Sequence, residues 1–163
     1  MTRIFLGLGS NVRPQHFLPL GIRELRALLG SLELSPAYRG QAMGFDGDPF
    51  WNLVVSATTA LPVGELQRAL RDIEFRHGRP PDAARNSPRM LDIDILAYGD
   101  LAGTVDGVPL PRGEILYHAF VLRPLADLAP DVLHPETGEC YAALWGAFDQ
   151  ASQPLEPVEL DLG

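Results

Sequence analysis

Residues 91–95 read Leu-Asp-Ile-Asp-Ile, within the clearest strand signal of the chain. Successive side chains of a strand point to opposite faces of the sheet. The three aliphatic residues are therefore predicted to face a core, while Asp92 and Asp94 share the other face. Their Cα atoms are expected to lie roughly 6.6 Å apart, which places two carboxylates over one site.

The segments on either side of this strand predict the rest of the fold. Strands are expected over residues 3–8, 32–39, 52–60 and 90–98, and helices over 17–29, 62–77, within 117–128 and over 139–148. The order strand, helix, strand, strand, helix, strand predicts an α+β fold with a ferredoxin-like βαββαβ sheet, helices on one face and appended C-terminal helices. We expect a single domain over residues 1–163, of which 151–163 form an acidic, loosely held tail.

Composition narrows the classes of function. A net charge of −8 and a pI near 4.8 argue against a general nucleic-acid binder, which needs a basic face. A single cysteine permits neither an internal disulfide nor a thiolate metal cluster. The apolar stretch at the N-terminus is too short for a signal peptide or a membrane span, so a cytoplasmic protein is expected. The chain has no sustained heptad repeat, so a monomer is expected.

The acidic pair predicts a divalent cation. Two like charges this close are unfavourable unless a cation lies beside them. Magnesium fits best, because it takes oxygen ligands and usually binds one or two carboxylates together with substrate phosphates. Zinc is disfavoured, since no histidine and cysteine set accompanies the pair. The plain alternative is an exposed sheet face that carries two ordinary acids.

A run of arginines precedes the pair. It comprises Arg71, Arg76, Arg79, Arg85 and Arg89. One interpretation is a solvated helix end whose positive charge complements the helix dipole. The other is a pocket for a polyanion, in which arginines neutralise phosphate oxygens that also bind the metal. Metal and arginine together are the usual components of phosphoryl-transfer sites.

Several motifs recur together in a familiar order and spacing. They are Gly9-Ser10-Asn11, Phe50-Trp51-Asn52, Ile73-Glu74 with Gly78-Arg79, Pro88-Arg89-Met90-Leu91-Asp92-Ile93-Asp94-Ile95, Pro109-Leu110-Pro111 and Phe120-Val121-Leu122-Arg123-Pro124-Leu125. The combination resembles the 6-hydroxymethyl-7,8-dihydropterin pyrophosphokinase family of folate biosynthesis, over about residues 3–138. The resemblance implies transfer of pyrophosphate from ATP to the hydroxymethyl group of the dihydropterin, which leaves AMP.

The resemblance also implies roles at the nucleotide. Asp92 and Asp94 would be the ligands of two Mg²⁺ ions, and Arg79 and Arg89 would bind phosphates at the catalytic centre. The remaining residues expected at ATP are Glu74, Arg85 in a closing loop, and Ile95 through its backbone.

The same resemblance implies a pterin pocket. The amide of Asn52 would read the hydrogen-bonding edge of the ring, which the rings of Phe50 and Phe120 would sandwich. Main-chain groups near Gly40 and Met43 would complete the readout. For the two phenylalanines the plain alternative is core packing, and for Asn52 it is a turn or cap.

The chain departs from the family pattern at several nucleotide contacts. Arg112 follows the Pro-x-Pro turn where the family has histidine, and Arg71 replaces a common glutamine. An expected arginine aligns near His118, which carries positive charge only when protonated. We expect Arg71, Arg112 and His118 to take part in ATP binding.

Two other functions remain open on the residues alone. Nucleotide-sugar glycosyltransferases also use an Asp-x-Asp pair, although this chain is short for their folds. A degenerate paralogue that binds pterin or a partner without efficient catalysis is the second alternative, because the closing loop has Asn86-Ser87 where the family has tryptophan and glycine.

Overall fold

The structure, a computed structural model, describes residues 1–40, 49–78 and 90–161. Its strands are β1 (Thr2–Ser10), β2 (Glu33–Leu34), β3 (Ala37–Gly40), β4 (Phe50–Thr59), β5 (Asp92–Tyr98), β6 (Gly103–Val105), β7 (Val108–Leu110) and β8 (Glu156–Val158). Its α-helices are α1 (Pro14–Leu29), α2 (Val63–Arg76), α3 (Ala119–Leu128) and α4 (Tyr141–Ala147). Short 3-10 helices lie at Gly113–Leu116 and Gln150–Ser152.

The main sheet has the strand order β5-β1-β4-β3-β8, with β2 also paired to β4. Every pairing in it is antiparallel. Taking β2 and β3 together as one interrupted strand, the order is that of the ferredoxin-like βαββαβ sheet. The predicted α+β fold is therefore confirmed. Strands β6 and β7 form a separate hairpin.

Helices cover both faces of the sheet. On one face, side chains of α1 and α2 such as Ile22 and Leu70 pack against Leu6, Val55 and Ile93. On the other, α3 and α4 pack over a second core, whose members include Phe5, Val54, Leu96, Leu122 and Tyr141. The appended C-terminal helices thus close the face that α1 and α2 leave open.

Some boundaries differ from expectation. The turn expected at residues 9–11 begins later, because β1 continues to Ser10 and pairs with Trp51. The strand expected over 32–39 is split in two at Ser35 and Pro36. At the break, the hydroxyl of Ser35 accepts a hydrogen bond from the backbone N–H of Val54 at 2.8 Å.

The loosely held tail expected over 151–163 is wrong for residues 156–158. These residues form β8, which pairs with β3 through Ala37 and Arg39. Strand β8 therefore extends the sheet by one strand. Among the residues described, none of the helices has the length and apolar character needed to span a bilayer.

Candidate active site

The acidic pair lies on the α3 side of the sheet. In the register of β1 and β5, Asp92 is opposite Gly9 and Asp94 is opposite Gly7. Ile93 between them is fully buried in the core under α1 and α2. The predicted separation of faces is therefore observed, and both carboxylates stand over a row of glycines.

The glycines leave room for neighbouring side chains. A Cβ atom on Gly9 would lie 2.6 Å from Oδ1 of Asn52, which is closer than carbon and oxygen atoms approach without displacement. Gly9 pairs with Asn52 on β4 as well as with Asp92 on β5. Because Gly9 has no side chain, the amide and the carboxylate share one continuous surface across three strands.

Asn52 is 8% exposed, and its Nδ2 has no hydrogen-bond partner among the described residues. Buried amide groups normally form hydrogen bonds, so Nδ2 of Asn52 is a candidate donor to an acceptor on a ligand. Phe50 precedes it by two residues on β4 and pairs with Gly40 on β3. Phe50, Asn52 and Gly40 thus lie together at one end of the sheet. Their expected role in pterin binding stays a prediction.

Phe120 lies in the first turn of α3, which packs on β3 and β4. Its ring stacks on the imidazole of His118, with centroids 4.8 Å apart and an angle of 20° between the rings. Phe120 is half-buried and packs against the second core, so it contributes to packing while part of its surface remains exposed.

Two side chains of α2 bind the free edge of β5. Glu74 is fully buried, and its Oε2 accepts a hydrogen bond from the backbone N–H of Ile93 at 2.7 Å. Arg71 donates from Nη1 to the carbonyl of Ile93 at 3.2 Å and to Oε1 of Glu74 at 2.5 Å. Together they satisfy the backbone N–H and carbonyl groups of Ile93, at the outer edge of the strand that carries the acidic pair. The expected contact of Glu74 with nucleotide stays a prediction.

Arg71 also reaches the pair itself. Its Nη2 lies 3.5 Å from Oδ1 of Asp94. Arg112 approaches the same oxygen from the other side, with Nη1 at 3.7 Å. Two guanidinium groups therefore converge on Asp94. Their expected contact with ATP stays a prediction.

Sequence analysis did not identify Glu114, which holds Arg112 in place. Its Oε1 accepts from Nε of Arg112 at 2.7 Å and from Nη2 at 2.6 Å. The signal available in the sequence was an acid two residues after an arginine, which is too common to single out.

His118 lies near this ion pair without reaching Asp94 in any described contact. Its Nε2 is 3.9 Å from Oε2 of Glu114, and its Nδ1 is buried with no partner among the described residues. Burial lowers the pKa of His118 below its ordinary value, an effect that Glu114 opposes. The lowered pKa favours the neutral form of the ring near pH 7.

Burial raises the pKa of Asp94 to about 7, and the neighbouring charge of Asp92 adds to the effect. The pKa of Asp92 is also raised, by burial first and then by Glu74. Arg71 and Arg112 oppose the shift at Asp94 without cancelling it. Burial and the neighbouring carboxylates both disfavour the ionised form of the pair, and a bound cation would offset that cost.

Magnesium suits this donor set. Within the described ranges, no group of three or more histidine, cysteine, aspartate or glutamate side chains is arranged to hold a metal ion. Two carboxylates beside an open surface are nevertheless the usual protein share of a magnesium site, since water and phosphate oxygens supply the remaining ligands. Asp92 and Asp94 are the residues that would hold the ion.

Other predicted residues are placed differently or fall outside the description. Ile95 pairs with Leu6 in the sheet and is 2% exposed, so its side chain belongs to the core. Arg76 forms an exposed pair with Glu24 of α1 at 2.8 Å, which matches the plain interpretation of that arginine. The predictions on Met43, Arg79, Arg85 and Arg89 concern residues outside the described ranges.

Comparisons with known proteins show the family of the chain. The model of the 7,8-dihydro-6-hydroxymethylpterin-pyrophosphokinase family matches residues 5–130. A 2-amino-4-hydroxy-6-hydroxymethyldihydropteridine pyrophosphokinase of Aquifex aeolicus is 32% identical over 137 residues, which are 83% of this chain and 85% of that protein. The protein of the same name from Pseudomonas aeruginosa is 35% identical over 140 residues, 83% of this chain and 86% of the relative.

Solved structures agree on the fold. A crystal structure of Plasmodium falciparum HPPK-DHPS superposes with a TM-score of 0.67 at 15% identity. The match covers 90% of this chain and 43% of that one, so the chain spans less than half of the length of that protein.

The fold is α+β, and its acidic pair beside two converging arginines is the kind of arrangement found in phosphoryl-transfer enzymes. The chain belongs to the 7,8-dihydro-6-hydroxymethylpterin-pyrophosphokinase family. It is therefore a kinase that transfers pyrophosphate from ATP in folate biosynthesis. The comparisons favour neither the glycosyltransferase nor the degenerate paralogue.

Proposed function

We propose that Asp92 and Asp94 hold two Mg²⁺ ions that bind the phosphates of ATP, beside a pterin recognised by Asn52. The observation that carries the proposal is the convergence of Arg71 and Arg112 on Asp94, on the sheet face that also presents the unpartnered amide of Asn52. One end of this face supplies positive charge for phosphate, and the other supplies a hydrogen-bond donor for a heterocycle.

In the reaction, the hydroxymethyl oxygen of 6-hydroxymethyl-7,8-dihydropterin forms a bond to the β-phosphorus of ATP. The bond from that phosphorus to the oxygen bridging the α- and β-phosphates breaks, so AMP leaves and the hydroxyl proton passes to solvent. Magnesium, when bound, neutralises phosphate charge. The residues of the chain orient the two substrates, and most of the rate enhancement comes from position and electrostatics.

Each part of the site has a task in this proposal. Arg112, oriented by Glu114, and Arg71, oriented by Glu74, offer donors to phosphate oxygens. Asn52 donates to the pterin, whose faces are covered by Phe50 and Phe120. His118 offers a ring nitrogen to the nucleotide, and the backbone at Ile95 contacts adenine. Further phosphate contacts are assigned to Arg79, Arg85 and Arg89, and pterin contacts to the main chain at Gly40 and Met43.

The proposal also covers oligomeric state, partners and location. The protein is a monomer without a nucleic-acid partner, in the cytoplasm, where ATP is available. Light scattering on the purified protein at several concentrations tests the monomer, for which the expected mass is that of one 17.8 kDa chain.

The Asp94→Asn variant tests the metal site. The substitution keeps the shape of the side chain but removes a charged oxygen that magnesium requires, so the rate of AMP release is expected to fall about a hundredfold or more. The measurement combines purified protein, ATP, magnesium and the hydroxymethyldihydropterin, and follows AMP by chromatography. Calorimetric ATP binding is expected to require magnesium in the wild type and to be weakened in the variant.

Asp100→Asn is the matched control, because Asp100 is an exposed acid just beyond the end of β5. It is expected to match the wild type. Magnesium-dependent ATP affinity that is unchanged in Asp94→Asn would contradict the metal assignment. Pterin binding without AMP release by the wild type would favour the degenerate paralogue instead.

A further inference from the structure

The segment that follows α4 returns across the start of α3. The side chain of Gln153 makes two hydrogen bonds there: its Oε1 accepts from the backbone N–H of Ala119 at 2.9 Å, and its Nε2 donates to the carbonyl of Tyr117 at 3.0 Å. Gln153 lies beyond residues 5–130, the part that matches the family.

These bonds satisfy groups that α3 leaves unpaired by itself. The residue before the helix, His118, has extended backbone angles and makes no capping bond with its own side chain. The first N–H groups of a helix have no partner inside it, and a side-chain acceptor usually supplies one. Gln153 supplies it for Ala119 from a distant part of the chain.

The position of the two bonds connects Gln153 to the candidate site. They bind the backbone immediately before and immediately after His118, whose ring stacks on Phe120 at 4.8 Å. Rotation of the backbone at 117–119 would displace both rings. By holding this backbone, the side chain of Gln153 fixes the direction in which the Phe120 side chain projects from α3.

The same segment also reaches the opposite side of the pocket. Strand β8 pairs with β3, and a Cδ atom of Leu155 lies 2.8 Å from where a Cβ on Gly40 would be. Gly40 in turn pairs with Phe50 on β4. Residues 153–158 thus contact the start of α3 and the end of β3, the elements that carry Phe120 and Gly40.

We propose that Gln153 is a positioning residue for the pterin site, which acts by fixing the His118–Phe120 stack through the backbone at Tyr117 and Ala119. This inference rests on the proposed function, since it takes Phe120 as one wall of the pterin pocket. Gln153 itself does not touch the substrate.

The test compares Gln153→Ala with Gln150→Ala in the full-length protein. Gln150 is an exposed glutamine of the same segment that donates to the carbonyl of Trp145 at 3.0 Å, so its loss deletes a similar bond away from α3. Gln153→Ala is expected to raise the dissociation constant of the hydroxymethyldihydropterin about tenfold, and its KM likewise, from the loss of two hydrogen bonds. The KM for ATP is expected to rise less than the pterin KM, because His118 is only one of the residues assigned to ATP.

Two further measurements separate position from general stability. Amide hydrogen exchange at Ala119 is expected to accelerate about tenfold in Gln153→Ala and to be unchanged in Gln150→Ala. Gln153→Glu keeps an acceptor for Ala119 but loses the donor to Tyr117. We expect it to fall between wild type and Gln153→Ala in pterin affinity.

Unchanged pterin affinity in Gln153→Ala, together with faster exchange at Ala119, would overturn the inference. So would an equal rise of both KM values accompanied by a lower Tm, because that pattern describes a structural tether alone. A wild-type protein that neither binds the pterin nor releases AMP would refute the proposed function itself. The exchange rate at Ala119 would in that case still report whether Gln153 holds the helix.

Discussion

At the scale of single residues, the site depends on a missing side chain as much as on the side chains present. Gly9 sits between Asp92 and Asn52 in the register of three strands. Glycine in a strand is unfavourable for the strand itself, and it often marks a place where another group approaches closely. Here the approaching group is the amide of Asn52.

Gly9→Ala is expected to raise the pterin dissociation constant about tenfold or more, since the added Cβ would lie 2.6 Å from Oδ1 of Asn52 and must displace the amide. Gly146→Ala is the control, because a Cβ at Gly146 in α4 meets nothing within 4 Å. That control is expected to keep full affinity. Pterin titration by calorimetry checks both, and equal affinities would show that Asn52 does not bind the ring.

Arg112→Gln tests the charge at the phosphate end. The variant loses the guanidinium that Glu114 directs toward Asp94, and the KM for ATP is expected to rise about tenfold, while pterin affinity changes little. Arg68→Gln, at an exposed arginine of α2, is the control. Steady-state kinetics with each substrate varied in turn measures the effect. A rise in the pterin KM alone would place Arg112 outside the ATP site.

At the scale of elements, α2 is positioned by groups that are distant in sequence. Its N-cap, Pro62, has no side-chain capping bond, and the carboxylate of Asp106 accepts from the backbone N–H of Gly64 at 3.0 Å instead. Asp106 belongs to the turn between β6 and β7 and has a left-handed φ of 52°. The hairpin thereby anchors the helix whose side chains Arg71 and Glu74 bind the edge of β5.

Asp106→Ala is expected to lower the free energy of unfolding by about 2 kcal/mol, because it removes a helix cap and places alanine in a left-handed conformation. Asp106→Asn keeps an acceptor and tolerates that conformation, so it is expected to lose much less. Urea unfolding followed by circular dichroism distinguishes the two. Equal losses in both variants would mean that the charge, rather than the cap, is what matters.

At the scale of the whole molecule, two cores share one sheet, and the loop before α4 joins the second of them. His134 in this loop is 1% exposed. Its Nδ1 accepts from the backbone N–H groups of Glu136 and Thr137 at 3.2 and 3.1 Å. Its ring lies edge-on to Tyr141, which packs in turn against Phe5 of β1. Protonation of His134 would therefore disturb its contact with Tyr141 and, through Tyr141, the packing around Phe5.

The contribution of His134 to stability is expected to fall as the pH drops below about 6.5. Burial lowers the pKa of His134 in the folded protein, so the unfolded chain binds the proton first. The stabilisation is fully present above the unfolded pKa and is lost as the pH falls toward the folded one. His134→Asn keeps an acceptor for the loop amides and does not titrate, so the wild type should lose unfolding free energy relative to this variant between pH 7 and pH 5. Identical pH profiles would exclude His134 as the cause.

Much of the fold could be predicted because local patterns agree with it. The alternation around Asp92 and Asp94 predicted which face each residue takes. The helix expected over 62–77 is observed as α2, with Leu66, Leu70 and Ile73 buried. The tail was predicted wrongly because three residues of strand, Glu156–Val158, carry little signal of their own and are stabilised by pairing with β3. The cluster that includes Arg71 indicated a polyanion pocket, but the approach of Arg71 and Arg112 to Asp94 depends on how distant segments pack beside β5.

The sequence by itself determined that two carboxylates share a face, because the period of a strand is a local property. Only the tertiary structure decided what surrounds them. Gly9 beside Asn52, Glu114 under Arg112 and Gln153 at the start of α3 each join segments that are adjacent only after folding. Such contacts depend on register and packing between elements, and no short stretch of sequence encodes those.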